Sequence, residues 1–331
     1  MVTLNELAPK AADNHQGRLA HVPSNLLPKT LVGPIFDKAQ ETSVVMRMGT
    51  KIPVTYGETV IPTTTKRPEV GQVGNGTSNE QREGGVKPLS GTAWATKAFS
   101  PIKLATIVTA SEEFARTNPQ GLFTQMQSDL AFAIGRGIDL AVFHGKQPLS
   151  GAALQGIDAN NVIAGTSNVI SLASSTPATL LDSLMDGYEQ VSDKHEFNAW
   201  AVDGRYRTRL VKATAARDSN GNTDPNNINL STTVGDVLGL PAVYSRAVGG
   251  DLGAATDSGI RIIGGDFSQL RYGFADEIRV KVTDNATLVD ADGNAVSMFQ
   301  TNQVAILIEV TFGWILGDQE AFVAFDTTPT P

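Results

Sequence analysis

The clearest hydrophobic period lies between Leu122 and Val142. Leu122, Met126, Leu130, Ile134, Ile138 and Val142 recur every four residues, with Phe123 beside them. This spacing predicts a helix of about 24 residues, roughly 36 Å long at ~1.5 Å per residue. Thr117 or Asn118 is placed to cap it, with Pro119 in the first turn. A repeat of four drifts around a 3.6-residue turn, so the buried stripe should wind slowly. Gly135 and Gly137 weaken its middle by up to ~1 kcal/mol each and leave room for bending or close packing. A second apolar face, Leu180, Leu181, Leu184, Met185, Tyr188 and Val191, follows a cap at Thr176 and Pro177. "GRYRTRLVKATAAR" reads as a third helix behind Asp203, and a short one is expected around Leu31 to Gln40.

Strand patterns surround these helices. "KIPVTYGETVIP" (51–62) and "AWATKAFSPIKLATIVTAS" (93–111) read as extended chain, rich in β-branched and aromatic residues. "EFNAWAVDG" reads as a buried strand, and "VLGLPAVYSRAV" as a turn leading into one. The last third is mainly β: "GIRIIGGDF", "EIRVKVT", an Asp292–Gly293 hairpin turn, "QVAILIEVTFGW" and "EAFVAF". In the fourth of these, Val304, Ile306, Ile308, Val310 and Phe312 alternate with Ala305, Leu307, Glu309 and Thr311. Residues 1–29 show no sustained period and read as an arm.

Between the two early extended runs lies "GQVGNGTSNEQREGGVKPLSG" (71–91), with six glycines and only Val73 and Val86 as larger aliphatics before Leu89. It cannot build a core of its own. A loop this long inside a domain is uncommon. Two extended arms around such a tip predict a projecting hairpin, each ten residues of which reach roughly 33 Å. An isolated hairpin is marginal in water, so a neighbouring chain is expected to order it.

Composition narrows the function. The 331 residues suffice for about two domains, and 41% hydrophobic content can fill a core. Charged residues make up 18%, below the usual ~25%, which fits a surface that becomes covered. The net charge of −8 argues against a strong grip on nucleic-acid phosphates. With no cysteine, disulfides, thiolate metal sites and cysteine nucleophiles are excluded. No apolar run approaches the ~20 residues of a membrane span, and a soluble chain is expected.

Catalytic patterns are lacking. His15, His21, His144 and His195 form no metal-ligand spacing, and "HEFNA" lacks the second histidine of a zinc-protease helix. "GQVGNG" has neither the spacing nor the helix of a dinucleotide fingerprint. Asp218, Asn220, Asn222 and Asp224 alternate as in a calcium loop, but Gly221 is misplaced and Asn229 stands where a glutamate belongs, so a polar turn is the better reading. Asp290 and Asp292 are likewise turn residues. Arg205, Arg207, Arg209, Lys212 and Arg217 do not share one helical face. A solvated helix explains them first, contact with another subunit second, phosphate binding third. No cofactor is implied.

An arm, a projecting hairpin and two mixed bodies describe an assembly protein. The ordered set resembles the major capsid proteins of tailed bacteriophages, which share the Hong Kong 97 fold. The resemblance rests on "PIKLATIVTASEEFARTN" entering a long helix, on "LAFAIGRGIDLAVFHGKQPLSGAALQGI" with Asp139 at that helix's end, on "VLGLPAVYS", on "IIGGDFSQLRYGFADEIRVKV", and on "MFQTNQVAILIEVTFGWILGDQEAFVAF". It implies an α+β fold with an N-terminal arm (1–29), an extended loop (50–108), a peripheral domain with a long spine helix (30–49, 109–148 and 262–314) and an axial domain (149–261 and 315–331). It implies self-assembly through hexamers and pentamers into an icosahedral shell around double-stranded DNA. A separate scaffolding protein or none, a portal and a decoration protein are the partners to be expected; a membrane is not. At the loop tip, Lys66, Arg67, Glu69, Glu80, Arg82, Glu83 and Lys87 would be subunit contacts.

One member of that family joins a loop lysine to an asparagine, with a glutamate as base. The matching set here is Lys66 or Lys87, Asn302 and Glu309. Such a base needs partial desolvation and a raised pKa. A strand-capping Asn302 and an ion-paired Glu309 are the simpler expectation. An encapsulin-type compartment of the same fold is the alternative function, with a monomeric β-rich binding or hydrolytic protein behind it.

Overall fold

The computed structural model describes Ala39 and residues 43–66, 68–71, 73, 87, 89–113, 119–173, 175–176, 179–214, 235–289 and 293–328. Of the short helix expected at 31–40 only Ala39 is described, and it is helical; the 218–224 loop and both candidate caps of the spine helix lie outside the described residues. In chain order the elements are α1 (Val44–Met48), β1 (Thr50–Lys51), β2 (Thr59–Lys66), β3 (Ala93–Phe99), β4 (Ile102–Ser111) and α2 (Pro119–His144). Next come β5 (Val169–Ser171), α3 (Leu180–Ser192), β6 (Ala199–Val202), α4 (Arg207–Thr214), β7 (Asp236–Val237) and β8 (Leu240–Tyr244). The chain continues with β9 (Ile260–Gly265), β10 (Leu270–Thr283), β11 (Thr287–Val289), β12 (Ala295–Ser297), β13 (Gln303–Leu316) and β14 (Phe322–Asp326).

Among the described residues the strands form two larger sheets and two hairpins. The first sheet has the order β1-β10-β13-β4, the second β5-β14-β9-β6-β8-β7, and β2-β3 and β11-β12 pair alone. The early extended run at 93–111 is two strands, not one. It breaks at Ser100–Pro101, where proline removes a ladder donor. β3 then belongs to the hairpin and β4 pairs with β13 over ten consecutive residues.

The second sheet is covered on both faces, and its strands alternate accordingly. Phe322 and Ala324 of β14 face one core with Ala201, Ile263 and the spine helix. Val323 and Phe325 face the other, with Trp200, Val202, Leu184 of α3 and Leu210 of α4. The spine helix α2 is therefore clamped. Its residues 128–134 alternate exposed and buried, whereas Ile138, Leu140, Ala141, Val142 and Phe143 are all fully buried. The four-residue stripe marks only one side of this second half, because sheet and α1 cover the others. Gly135 provides close approach: a Cβ there would stand 3.3 Å from the Ala39 carbonyl oxygen.

Asp139 fixes α1 to the spine helix. Its buried carboxylate accepts from Ser43 Oγ at 2.6 Å, Val44 N at 3.0 Å and Val45 N at 3.1 Å, satisfying the free donors of α1's first turn. Ser245, beyond β8, donates to the same carboxylate at 3.4 Å. One acidic side chain thus ties the segment leading into the hairpin, the spine helix and the second sheet.

α3 begins at Leu180 behind Thr179, which gives it no side-chain cap; the capping side chain is the expected Thr176, whose Oγ1 accepts from Thr179 N at 3.4 Å and whose carbonyl accepts from Leu180 N at 3.0 Å. Asp203 caps a 3-10 turn (Gly204–Tyr206) that leads into α4.

Candidate assembly interface

The hairpin is rooted in a small cluster of Val54, Phe99 and Ile315, with Ile52, Ile61 and Ala275 packed against it. The alternation of β2 and β3 then sorts two faces. Thr59, Ile61, Ala95, Lys97 and Phe99 are buried or partly so, and Lys97 Nζ donates to the Leu316 carbonyl at 3.2 Å. Val60, Pro62, Trp94, Thr96 and Ala98 are exposed on the opposite face. Trp94 is 66% and Val60 56% accessible, which is costly for an indole unless something covers it. A polar cleft of about 740 Å³, lined by Lys97, Asp158, Asp318 and Glu320 among others, separates β3 from the loops of the second sheet. The hairpin is thus held at its root.

The charged residues expected at the tip are only partly placed. Glu69 and Lys87 are exposed, and Glu69 N donates to Ser90 Oγ at 2.7 Å. Arg67, Glu80, Arg82, Glu83 and the Lys66 side chain lie outside the described residues. The apolar stripe of Val60 and Trp94 was missed by sequence reasoning. Alternation announced strands there but not which face would be left bare.

Asn302 and Glu309 are not brought together within one subunit. Asn302 precedes β13, which begins at Gln303, and Glu309 lies six residues further along that strand, roughly 20 Å from its start at ~3.4 Å per residue. Asn302 adopts φ 53° at the start of β13, where its carbonyl accepts from Glu112 N at 3.0 Å. Glu309 sits between Lys103 at 2.9 Å and Lys281 at 3.7 Å. The Lys103 hydrogen bond holds its carboxyl below the usual glutamate range. Such a group is a poor proton acceptor.

The basic cluster also divides. Arg205 is committed to Asp203, Asp251 and Asp257. Arg207 lies over Tyr244 at 5.6 Å and Arg209 over Tyr206 at 5.4 Å. Arg261 pairs with Asp257 at 2.8 Å and pulls that carboxyl down to about 2. Asp203 is fully buried, so these arginines neutralise a charge the fold has already desolvated. His144 Nε2 lies 2.9 Å from the Val248 carbonyl, its pKa lowered by burial, and His195 Nε2 lies 3.1 Å from Asp318.

Comparison with known proteins gives this architecture its class. The profile of the phage capsid family matches residues 24–327. A probable major capsid protein, gp17, of Mycobacterium phage D29 is 29% identical over 310 residues, covering 87% of this chain and 86% of the relative. The major capsid protein of Staphylococcus phage 80alpha is 24% identical over 298 residues, covering 87% and 81%. Among solved structures, a chain from Gordonia phage Cozz superposes with a TM-score of 0.70 at 32% identity, covering 87% of both chains. One from Mycobacterium phage Ogopogo gives 0.66 at 26%, covering 86% and 92%. The fold is that of a viral shell protein. The chain belongs to the phage capsid family, serves as a structural component of the virion capsid, and is not an enzyme.

Proposed function

We propose that the chain assembles through hexamers and pentamers into an icosahedral shell enclosing double-stranded DNA, which it contacts without reading sequence. Hairpin β2–β3 with its glycine-rich tip acts as the extended loop (50–108) and lies over a neighbouring subunit. The spine helix and first sheet serve as the peripheral domain (30–49, 109–148, 262–314). The second sheet with α3 and α4 serves as the axial domain (149–261, 315–331), and residues 1–29 as the arm. A scaffolding protein, a portal and a decoration protein complete the assembly. The bare apolar face of the hairpin carries this reading, because a large side chain such as Trp94 gains roughly 1.5–3 kcal/mol when a neighbour covers it.

Val60→Asp combined with Trp94→Ser is the test. The isolated subunit should melt within ~0.5 kcal/mol of the unaltered chain, since neither residue is buried within it. Pelletable particles should fall at least about tenfold, the effect of ~1.4 kcal/mol per contact. Normal particle yield would contradict the role given to the hairpin. Deleting residues 72–88 should likewise leave a folded subunit and weaken assembly.

Glu309 serves as an ion-pair partner here, not as a cross-linking base. Mature particles boiled in detergent should then give a single band at the 35.0 kDa of one chain. A ladder of covalent oligomers would reverse that assignment.

A further inference from the structure

Among the described residues the two main sheets end in four edge strands, and three of these are short. β1 and β7 have two residues each and β5 has three. β4 has ten, and ten successive residues pair with β13 without a bulge. Its sequence, "IKLATIVTAS", contains no proline and one charge. Natural edges are normally blunted by brevity, bulges, proline or charge, and β4 has almost none of these protections.

The hydrogen-bond phase shows which groups are free. Glu112 N donates to the Asn302 carbonyl, in the same register as the ladder that pairs Ser111 with Gln303 and Ile102 with Phe312. In an antiparallel ladder every second residue turns both backbone groups to its partner. Even-numbered residues of β4 therefore face β13. Lys103, Ala105, Ile107, Thr109 and Ser111 turn their N–H and C=O outward, and no hydrogen bond of the described residues reaches them.

We propose that two copies of this chain pair edge to edge through β4, antiparallel about a two-fold axis that passes between the two Ile107 residues. This rests on the reading of the chain as a shell subunit and names one contact between subunits. The outward set is self-complementary in this register. Lys103 meets Ser111 of the second copy, Ala105 meets Thr109, and Ile107 meets itself. All five outward residues pair, and no like charges stand opposite each other. Ile107 and Val108, 49% and 37% accessible, are covered at the centre by β-branched neighbours. The arrangement is isologous, as a two-fold contact must be.

A chain without cysteine allows a clean test. Two residues in a hydrogen-bonded antiparallel pair have Cα atoms ~5.5 Å apart, within the range a disulfide bridges. Particles carrying Ile107→Cys and oxidised with diamide should run mainly as dimers on a non-reducing denaturing gel. Leu149→Cys, at a site 90% exposed, serves as the collision control and should remain mainly monomeric. If Ile107→Cys does not fold, Ala105→Cys with Thr109→Cys replaces it. The double variant should cross-link and each single variant should not, because each position meets only the other. Cross-linking no greater than the control, in preparations shown by microscopy to contain particles, overturns the β4 pairing and leaves the shell reading standing. A preparation of the unaltered chain without particles counts against the shell reading and the pairing with it.

Discussion

Gly265→Ala is expected to cost the folded subunit roughly 4 kcal/mol. Gly265 ends β9 at φ 150°, a conformation essentially restricted to glycine. A methyl group there would collide with the Ala321 carbonyl oxygen and approach Phe322 Cα to 2.8 Å. Both are backbone atoms of the turn entering β14, so no rotamer change relieves the clash. Strain and overpacking together cost roughly 4 kcal/mol, against a total stability of ~5–15 kcal/mol for a typical domain. The neighbouring Gly264 is constrained by side chains: its Cβ would collide with Phe197 and come within 2.7 Å of the Trp200 ring. Gly57→Ala and Gly91→Ala are the controls, since each opens onto empty space. Urea titration should show the Gly265 variant destabilised by roughly 4 kcal/mol and both controls within ~0.5 kcal/mol of the unaltered chain.

Asp139 gives the second large effect and a characteristic pH dependence. Asp139→Ala removes the acceptor for Ser43 Oγ, Val44 N and Val45 N in a fully buried place. Stranding these donors costs roughly 2–4 kcal/mol. The carboxyl itself is raised to about 6 from 3.8, chiefly by burial, with the four donors opposing the shift. A raised folded-state pKa favours folding in the protonated form. The contribution is complete below the unfolded value of 3.8 and is lost as pH rises through about 6. At ~1.36 kcal/mol per unit, the loss amounts to about 3 kcal/mol by pH 7. Unfolding free energies between pH 3.5 and 7 should fall by this amount relative to Asp139→Ala, in which this dependence disappears. A flat difference between the two chains across that range would show that the carboxyl titrates normally.

Much of the fold was legible because its signals are local. The four-residue repeat of Leu130, Ile134 and Ile138 announced the spine helix, and the alternation from Val304 to Phe312 announced β13. The glycine-rich stretch at 71–91 marked the hairpin, because nothing in it could bury itself. What stayed hidden depends on distant chain. The break at Ser100–Pro101 mattered only once β4 had found β13, some 200 residues later in the sequence. α1 was not anticipated: its cap is Ser43, but its anchor is a carboxylate 96 residues from Ser43. Arg205 looked like part of a basic surface and is bound into a network with three aspartates. The bare face of the hairpin could not be chosen from sequence, since Val60 and Ile61 are equally good strand residues and only the body of the subunit distinguishes them.

The role proposed for this chain is to build a closed shell from copies of itself. Sedimentation with negative-stain microscopy, on the chain expressed alone and with a scaffolding partner, tests it most directly. Ring-shaped capsomers or closed icosahedral particles are expected in at least one of the two preparations. A stable 35.0 kDa monomer in both, at every concentration reached, would contradict it.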